Sequence, residues 1–265
     1  MPFFRSSGWF PPHAVDADRL PPSYRRQRGT PPRPPLADDD DSASIRPMDV
    51  ALFVTCLTDT FYPRAGQAVV KVLEHLGCRV RFPEAQTCCG QPMFNSGYPD
   101  DAADLARRMV DIFEPDDAVV TPSGSCCAMI HDYYPSLLQA DPQYADRVGP
   151  FVHKTHEFVQ FLTDVLRVDL KTLRCAWPGR VTYHYSCHLR GLGMTNQTVR
   201  LLEQIDGVQY SELRKIDQCC GFGGTFAVKW PEVSGAMVKD KVDCIAETHV
   251  DAVVSNDAVC TLNIS

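Results

Sequence analysis

Twelve cysteines lie in this 265-residue chain, all of them beyond position 47, and their spacing carries the chemistry. Cys56 is followed by the adjacent pair Cys88 and Cys89, then Gly90, and later by Cys126, in the arrangement C-x₃₁-CCG-x₃₅-C. The same text recurs as Cys187, Cys219, Cys220, Gly221 and Cys260, in the arrangement C-x₃₁-CCG-x₃₈-C. Thiolates are soft metal ligands, and four of them set by three separate segments are a ligand set for a metal cluster. Disulfides explain the pattern poorly. Neighbouring Cα atoms sit about 3.8 Å apart, below the usual ~4.4–6.8 Å of a disulfide, so vicinal cysteines pair badly. Structural zinc favours C-x₂₋₄-C knuckles, and the chain contains no C-x-x-C. Ligation of an iron–sulfur cluster by Cys56, Cys88, Cys89 and Cys126, and by Cys187, Cys219, Cys220 and Cys260, is the stronger account. The glycine after each pair lets the backbone turn and offer N–H groups to sulfur.

The elements that must position these residues alternate. Apolar, β-branched runs at 49–55, 79–82 and 118–121 read as strands, and the 3.6-residue spacing at 64–76 and 100–113 predicts helices. A helix is predicted at 155–167. The order then repeats, with strands at 181–185, 208–210 and 252–255 and helices at 197–205 and 231–248. Strands alternating with helices imply βαβ units and parallel sheets, so the fold is predicted as α/β with two tandem similar halves. The boundaries read as 48–150 for the first half, 151–180 for a connecting helix and linker, and 181–265 for a C-terminally short second half. Parallel strands bring their C-terminal ends to one edge, where open α/β sheets hold their ligands. Three strand ends would converge four sulfurs in each half.

Residues 1–47 carry 10 of the 21 prolines and none of the cysteines, and they lack periodic apolar residues. They read as a disordered Pro-rich extension, with a folded part expected to begin at Met48. MPFFRSSGWFPP has no apolar core for a secretory signal. The 44% hydrophobic and 22% charged composition is that of a globular chain with a real core. A net charge of −7 argues against a nucleic-acid surface, and no apolar run reaches the ~18–20 residues of a membrane span. The expected location is cytoplasmic.

The segments FVTCLTDTFYPRAGQAVV, FPEAQTCCGQPMFNSGYPD, TPSGSCCAMI, GRVTYHYSCHLRGLG and CCGFGGTFAVKWPEVSGAMVKDK carry a resemblance. The arrangement resembles the tandem CCG cysteine-rich domains of iron–sulfur oxidoreductases, and within them it is most similar to the lactate utilization protein A family. The resemblance runs from about Asp49 to the C-terminus. It implies an iron–sulfur electron-transfer subunit, not a self-contained enzyme, working in the oxidation of L-lactate to pyruvate. The implied partners are a ferredoxin-type iron–sulfur subunit and a third small subunit of the lactate-oxidising complex. Up to two [4Fe–4S] clusters are implied. The chain departs from fuller CCG domains, such as those of the heterodisulfide reductase B subunit, at the fifth ligand position, where Met129 and Asn263 stand. Four thiolates per half suit a cubane cluster better than the non-cubane arrangement. A catalytic CCG subunit acting on a thiol or disulfide is the alternative reading, and a zinc-stabilised interaction scaffold is a third. The chain ends shortly beyond Cys260, at Ser265, where the resembled domains continue, so the second half is expected to be short.

Cys78, Cys127, Cys175 and Cys244 fall outside the repeat and read as ordinary buried or surface thiols. The preceding Ser-Gly-Ser turn favours Cys126 over Cys127 as ligand. His188, beside Cys187, could hydrogen-bond a cluster sulfur or cap backbone. The run Gly191 to Asn196 has two glycines of a dinucleotide loop and lacks the third, which makes it a weak candidate.

Overall fold

The computed structural model describes residues 48–265; the expectations for 1–47 lie outside them. In chain order the elements are β1 (Asp49–Leu52), α1 (Cys56–Phe61), α2 (Pro63–His75), β2 (Arg79–Arg81), α3 (Gln91–Asn95), α4 (Pro99–Phe113), β3 (Ala118–Thr121), α5 (Gly124–Leu138), α6 (Ala145–Lys154) and β4 (Thr155–Glu157). The chain continues with α7 (Phe158–Gln160), a π-helical turn (Phe161–Val165), β5 (Ala176–His184), a 3₁₀ turn (Cys187–Arg190), α8 (Gln197–Leu202), β6 (Asp206–Tyr210), α9 (Thr225–Lys229), α10 (Pro231–Ala246), β7 (Ala252–Ser255) and α11 (Ala258–Ile264).

Two parallel sheets result, one ordered β2-β1-β3-β4 and the other β6-β5-β7. The α/β class and the tandem halves are as the sequence predicts: β1, β2 and β3 correspond to β5, β6 and β7, paired in the same order. Among the predicted elements, one differs in kind. The stretch read as a helix from Thr155 opens with a short strand, β4, paired parallel to β3. Its residues follow a helix that ends at Lys154, and an open edge of β3 is available for pairing. Long-range pairing overrides local helical periodicity here.

The first sheet is covered on both faces, which explains its near-continuous apolar strands. Ala51, Phe53 and Val119 face a core shared with α4, α5 and α6, including Met109, Phe113, Met129 and Tyr134. Val50, Leu52, Val54, Ala118 and Val120 face the opposite way, against α2 and the π-helical turn. The helices begin and end on local signals. Pro63, Pro99 and Pro231 open α2, α4 and α10, where the missing N–H costs nothing. Gly77, at φ 83°, ends α2 in the left-handed region.

The halves meet across an approximate two-fold relation. Ser123 after β3 and Asp257 after β7 occupy equivalent places and pair with each other in an isolated antiparallel bridge. The Gly124 N–H donates to the Asn256 carbonyl at 3.0 Å. Around this point α5 of the first half packs on the 3₁₀ turn of the second, and α11 of the second packs on α1 of the first. Leu189 lies so close to Gly124 that a Cβ there would meet its side chain at 2.7 Å, which is why a glycine opens α5.

Candidate metal centre

Each candidate ligand stands at the C-terminal end of a strand, at the edge where an order of 2-1-3 reverses and a parallel sheet holds its ligands. Cys56 opens α1 directly after β1, and Cys187 opens the 3₁₀ turn after β5. Cys88–Cys89 and Cys219–Cys220 lie in the loops after β2 and β6. Cys126 and Cys260 sit in the first turns of α5 and α11, the helices that begin after the third strand of each half.

The glycines behave as their sequence position suggests. Gly90 and Gly221 have φ of 86° and 87°, and their N–H groups point at the sulfurs of Cys88 and Cys219 at 3.4 and 3.3 Å. A Cβ at Gly221 would lie 2.9 Å from the Ser234 carbonyl oxygen, and one at Gly90 3.3 Å from that of Ala102. In the first half Cys89 Sγ and Cys126 Sγ are 3.3 Å apart, and the buried Tyr134 hydroxyl donates to the Cys89 carbonyl at 2.9 Å. In the second half Asn263 donates to the Cys220 carbonyl at 2.8 Å, and Ser186 donates to Cys260 Sγ at 3.4 Å.

Thiol acidity divides the same way in both halves. The thiols of Cys56 and Cys89, together with the Gly90 N–H, hold Cys88 down to about 3 against its burial. The thiols of Cys187 and Cys220 and the Gly221 N–H hold Cys219 down to about 2. Hydrogen bonding to those thiolates, burial and like charge push Cys56 and Cys187 up. Cys89 and Cys220 are raised too, first by their hydrogen bonds to neighbouring cysteines. Protein groups thus stabilise one thiolate per half, and a bound cation would offset the raised pKa values of Cys56, Cys89, Cys187 and Cys220.

All eight cysteines line one cavity, together with His188, Gln91, Phe222 and Asp257. The four sulfurs of each half therefore converge, and the two sets face each other across the junction of the halves. The sets fit a thiolate-ligated metal cluster: they line one cavity, Cys89, Cys126, Cys220 and Cys260 are buried, and N–H donors aim at sulfur; Cys56 is exposed. Gln91 joins them, its side-chain nitrogen 3.3 Å from the Ser125 carbonyl and 3.3 Å from His188 Nε2. His188 Nδ1 is 3.7 Å from Cys187 Sγ.

A family model for the CCG cysteine-rich domain matches residues 50–131 and again 181–265. Over 218 residues the chain is 47% identical to lactate utilization protein A of Geobacillus thermodenitrificans, covering 82% of this chain and 90% of that protein. Its counterpart in an Exiguobacterium species is 48% identical over 219 residues, with 82% and 88% covered. The chain belongs to the lactate utilization protein A family. Family membership and the doubled CCG domain coincide with the two strand-end cysteine sets that the fold assembles.

The other sequence candidates sort by position. Cys127 is wholly buried and packs with Tyr183 and Leu189, away from the cavity that Cys126 lines. Cys78 and Cys244 are buried and Cys175 is half-buried. The glycine run at 191–193 serves packing, with Leu192 and Met194 buried in the junction. Met129, at the fifth-ligand position, is buried in the first core, and Asn263 turns its amide to backbone.

Three residues escaped the sequence reading. Asp257, fully buried, accepts from the Ser125 N–H at 2.7 Å and from Ser123 and so joins the halves. Glu157 accepts from Asn256 at 2.9 Å across the same junction, and burial pushes its carboxyl up to about 7. His184 ends β5 inside the second half, where burial and Lys241 push the imidazole down to about 4. Its only sequence signal is position: with Cys187 laid on Cys56, it stands where the first half has Phe53.

No helix among the described residues is long and apolar enough to cross a membrane.

Proposed function

We propose that this protein acts in lactate utilization as the iron–sulfur electron-transfer subunit of a complex that oxidises L-lactate to pyruvate. One observation carries the proposal: two complete sets of four cysteines face a single cavity at the junction of the halves. Cys56, Cys88, Cys89 and Cys126 would hold one cluster, and Cys187, Cys219, Cys220 and Cys260 the other. Bound clusters of this kind supply one-electron storage, and the two electrons released per lactate suit a chain holding two such centres. The remaining work belongs to the chain. Gly90 and Gly221 donate N–H groups to sulfur, Tyr134 and Asn263 fix the carbonyls of the second cysteine in each pair, and the helices after β3 and β7 each bring one cysteine to the cavity. Burial of Cys89, Cys126, Cys220 and Cys260, together with hydrogen bonding to sulfur, would tune the potentials. The partners on this reading are the other subunits of the lactate-oxidising complex, in the cytoplasm.

The test is anaerobic iron and acid-labile sulfide analysis with low-temperature EPR of the reduced protein, followed by electron exchange with the purified lactate-oxidising subunits. About four irons and four sulfides per filled half, reducible by those subunits with lactate, are expected. Zinc without sulfide would establish a scaffold instead. Iron and sulfide with turnover of a disulfide and none with lactate would establish a thiol–disulfide enzyme.

A further inference from the structure

We propose that His184 is a nitrogen ligand of the metal centre in the second half, so that the two halves hold chemically different centres. The inference rests on the reading that the second cysteine set binds metal.

His184 is fully buried at the end of β5, and neither ring nitrogen has a hydrogen-bond partner among the described residues. Buried imidazole nitrogens are almost always satisfied, because leaving them unpaired forfeits their hydration with nothing in return. Metal ligation would satisfy one of the two nitrogens. A nitrogen of His184 and the sulfurs of Cys220 and Cys260 all lie within 4.8 Å of one another. The ring nitrogen is thus within reach of a metal held by either of those two cysteines. The site therefore has a fifth donor. Asn263, at the position where fuller CCG domains carry a fifth cysteine, cannot be that donor, because its amide is engaged with the Cys220 carbonyl.

The first half offers no equivalent. Phe53 occupies the repeat position of His184 and packs edge-on against Phe113, with ring centroids 5.9 Å apart. Four thiolates are then the whole donor set of the first centre, against four thiolates and an imidazole at the second. A neutral nitrogen ligand adds no negative charge, so the two centres would differ in donor set while carrying the same ligand charge.

The test uses the full-length protein purified anaerobically, with natural-abundance or ¹⁵N-labelled histidine, reduced and measured by pulsed EPR alongside iron and sulfide content. A ¹⁴N coupling of the strength of a directly bound imidazole is expected, converting to the ¹⁵N pattern on labelling. His184→Phe is expected to remove it and His188→Asn to leave it. Labelling of the unaltered protein together with His188→Asn decides the question even if His184→Phe fails to fold. Iron and sulfide with no bound histidine coupling, or a coupling lost only in His188→Asn, would overturn ligation by His184 and leave the proposed function standing. Absence of iron and sulfide would overturn both.

Discussion

The two halves share strand order, ligand spacing and glycine geometry, yet what surrounds their cysteines differs in kind. In the first half the sheet face beneath the cysteines is an apolar core, with Ala51, Phe53, Met109 and Phe113 buried against α4, α5 and α6. The equivalent face of the second half presents Thr182 and His184 from β5 and Lys241 and Cys244 from α10, all buried. Superposing α10 on α4 by their opening prolines puts Lys241 where Met109 stands, and the contacts of Gly90 with Ala102 and of Gly221 with Ser234 support that alignment. The Lys241 ammonium donates to the carbonyls of Lys215 at 2.6 Å and Ile216 at 3.4 Å. One ligand scaffold is thus set in two dielectric and charge environments. A buried cation favours the more negative, reduced state of a neighbouring centre, so on the proposed reading the duplication would separate two potentials without altering the cysteine spacing.

The sharpest way to break this comparison is to remove one cysteine pair. Cys88→Ser with Cys89→Ser is expected to remove about half of the bound iron and sulfide, since no second-half ligand is touched. Loss of all or none of the metal would show that the halves do not bind separately. A smaller effect separates the environments. Lys241→Met is expected to lower the potential of the second centre in a redox titration followed by EPR and to leave the first centre's unchanged. Equal shifts at both would remove the assigned asymmetry.

The junction has its own pH dependence. The Glu157 carboxyl is raised from 4.5 to about 7 in the folded chain, so the folded state holds a proton there that the unfolded state has released. Stability from this group is therefore full below about pH 4.5 and falls as the pH rises toward 7, by at most about 3 kcal/mol. Glu157→Gln is expected to flatten that slope in anaerobic urea unfolding across pH 5–7; an unchanged slope would remove the assignment. The smallest difference is between the glycines. Both adopt positive φ, a strain of about 1–2 kcal/mol for alanine. Gly221→Ala is expected to destabilise more than Gly90→Ala, because its Cβ meets the backbone oxygen of Ser234 at 2.9 Å and not the 3.3 Å of Ala102. The reverse order in thermal unfolding would show that Ser234 gives way more easily.

Much of the fold was legible before any coordinates. The strands at 118–121 and 252–255 fall where the apolar runs place them, and α2 and α4 start within a residue of their expected positions, since proline and glycine punctuate locally. β4 was not legible, because its residues acquire strand geometry only from an open edge of β3. α5 and α11 were also missed, although they carry Cys126 and Cys260. The polar turn that precedes each reads as loop, while Ser123 and Asp257 are in fact their N-caps.

The sequence by itself determined which sulfurs belong together, because the offset shared by the first three cysteines of each set and the convergence of parallel strand ends are one-dimensional regularities with a fixed spatial consequence. Only the tertiary structure decided that both sets share a cavity, since that depends on Ser123 meeting Asp257 across the junction, a contact between segments far apart in the chain that no local pattern encodes. It also decided the place of His184. A histidine shortly before Cys187 becomes a candidate ligand only when burial strips its nitrogens of water and leaves two sulfurs within reach.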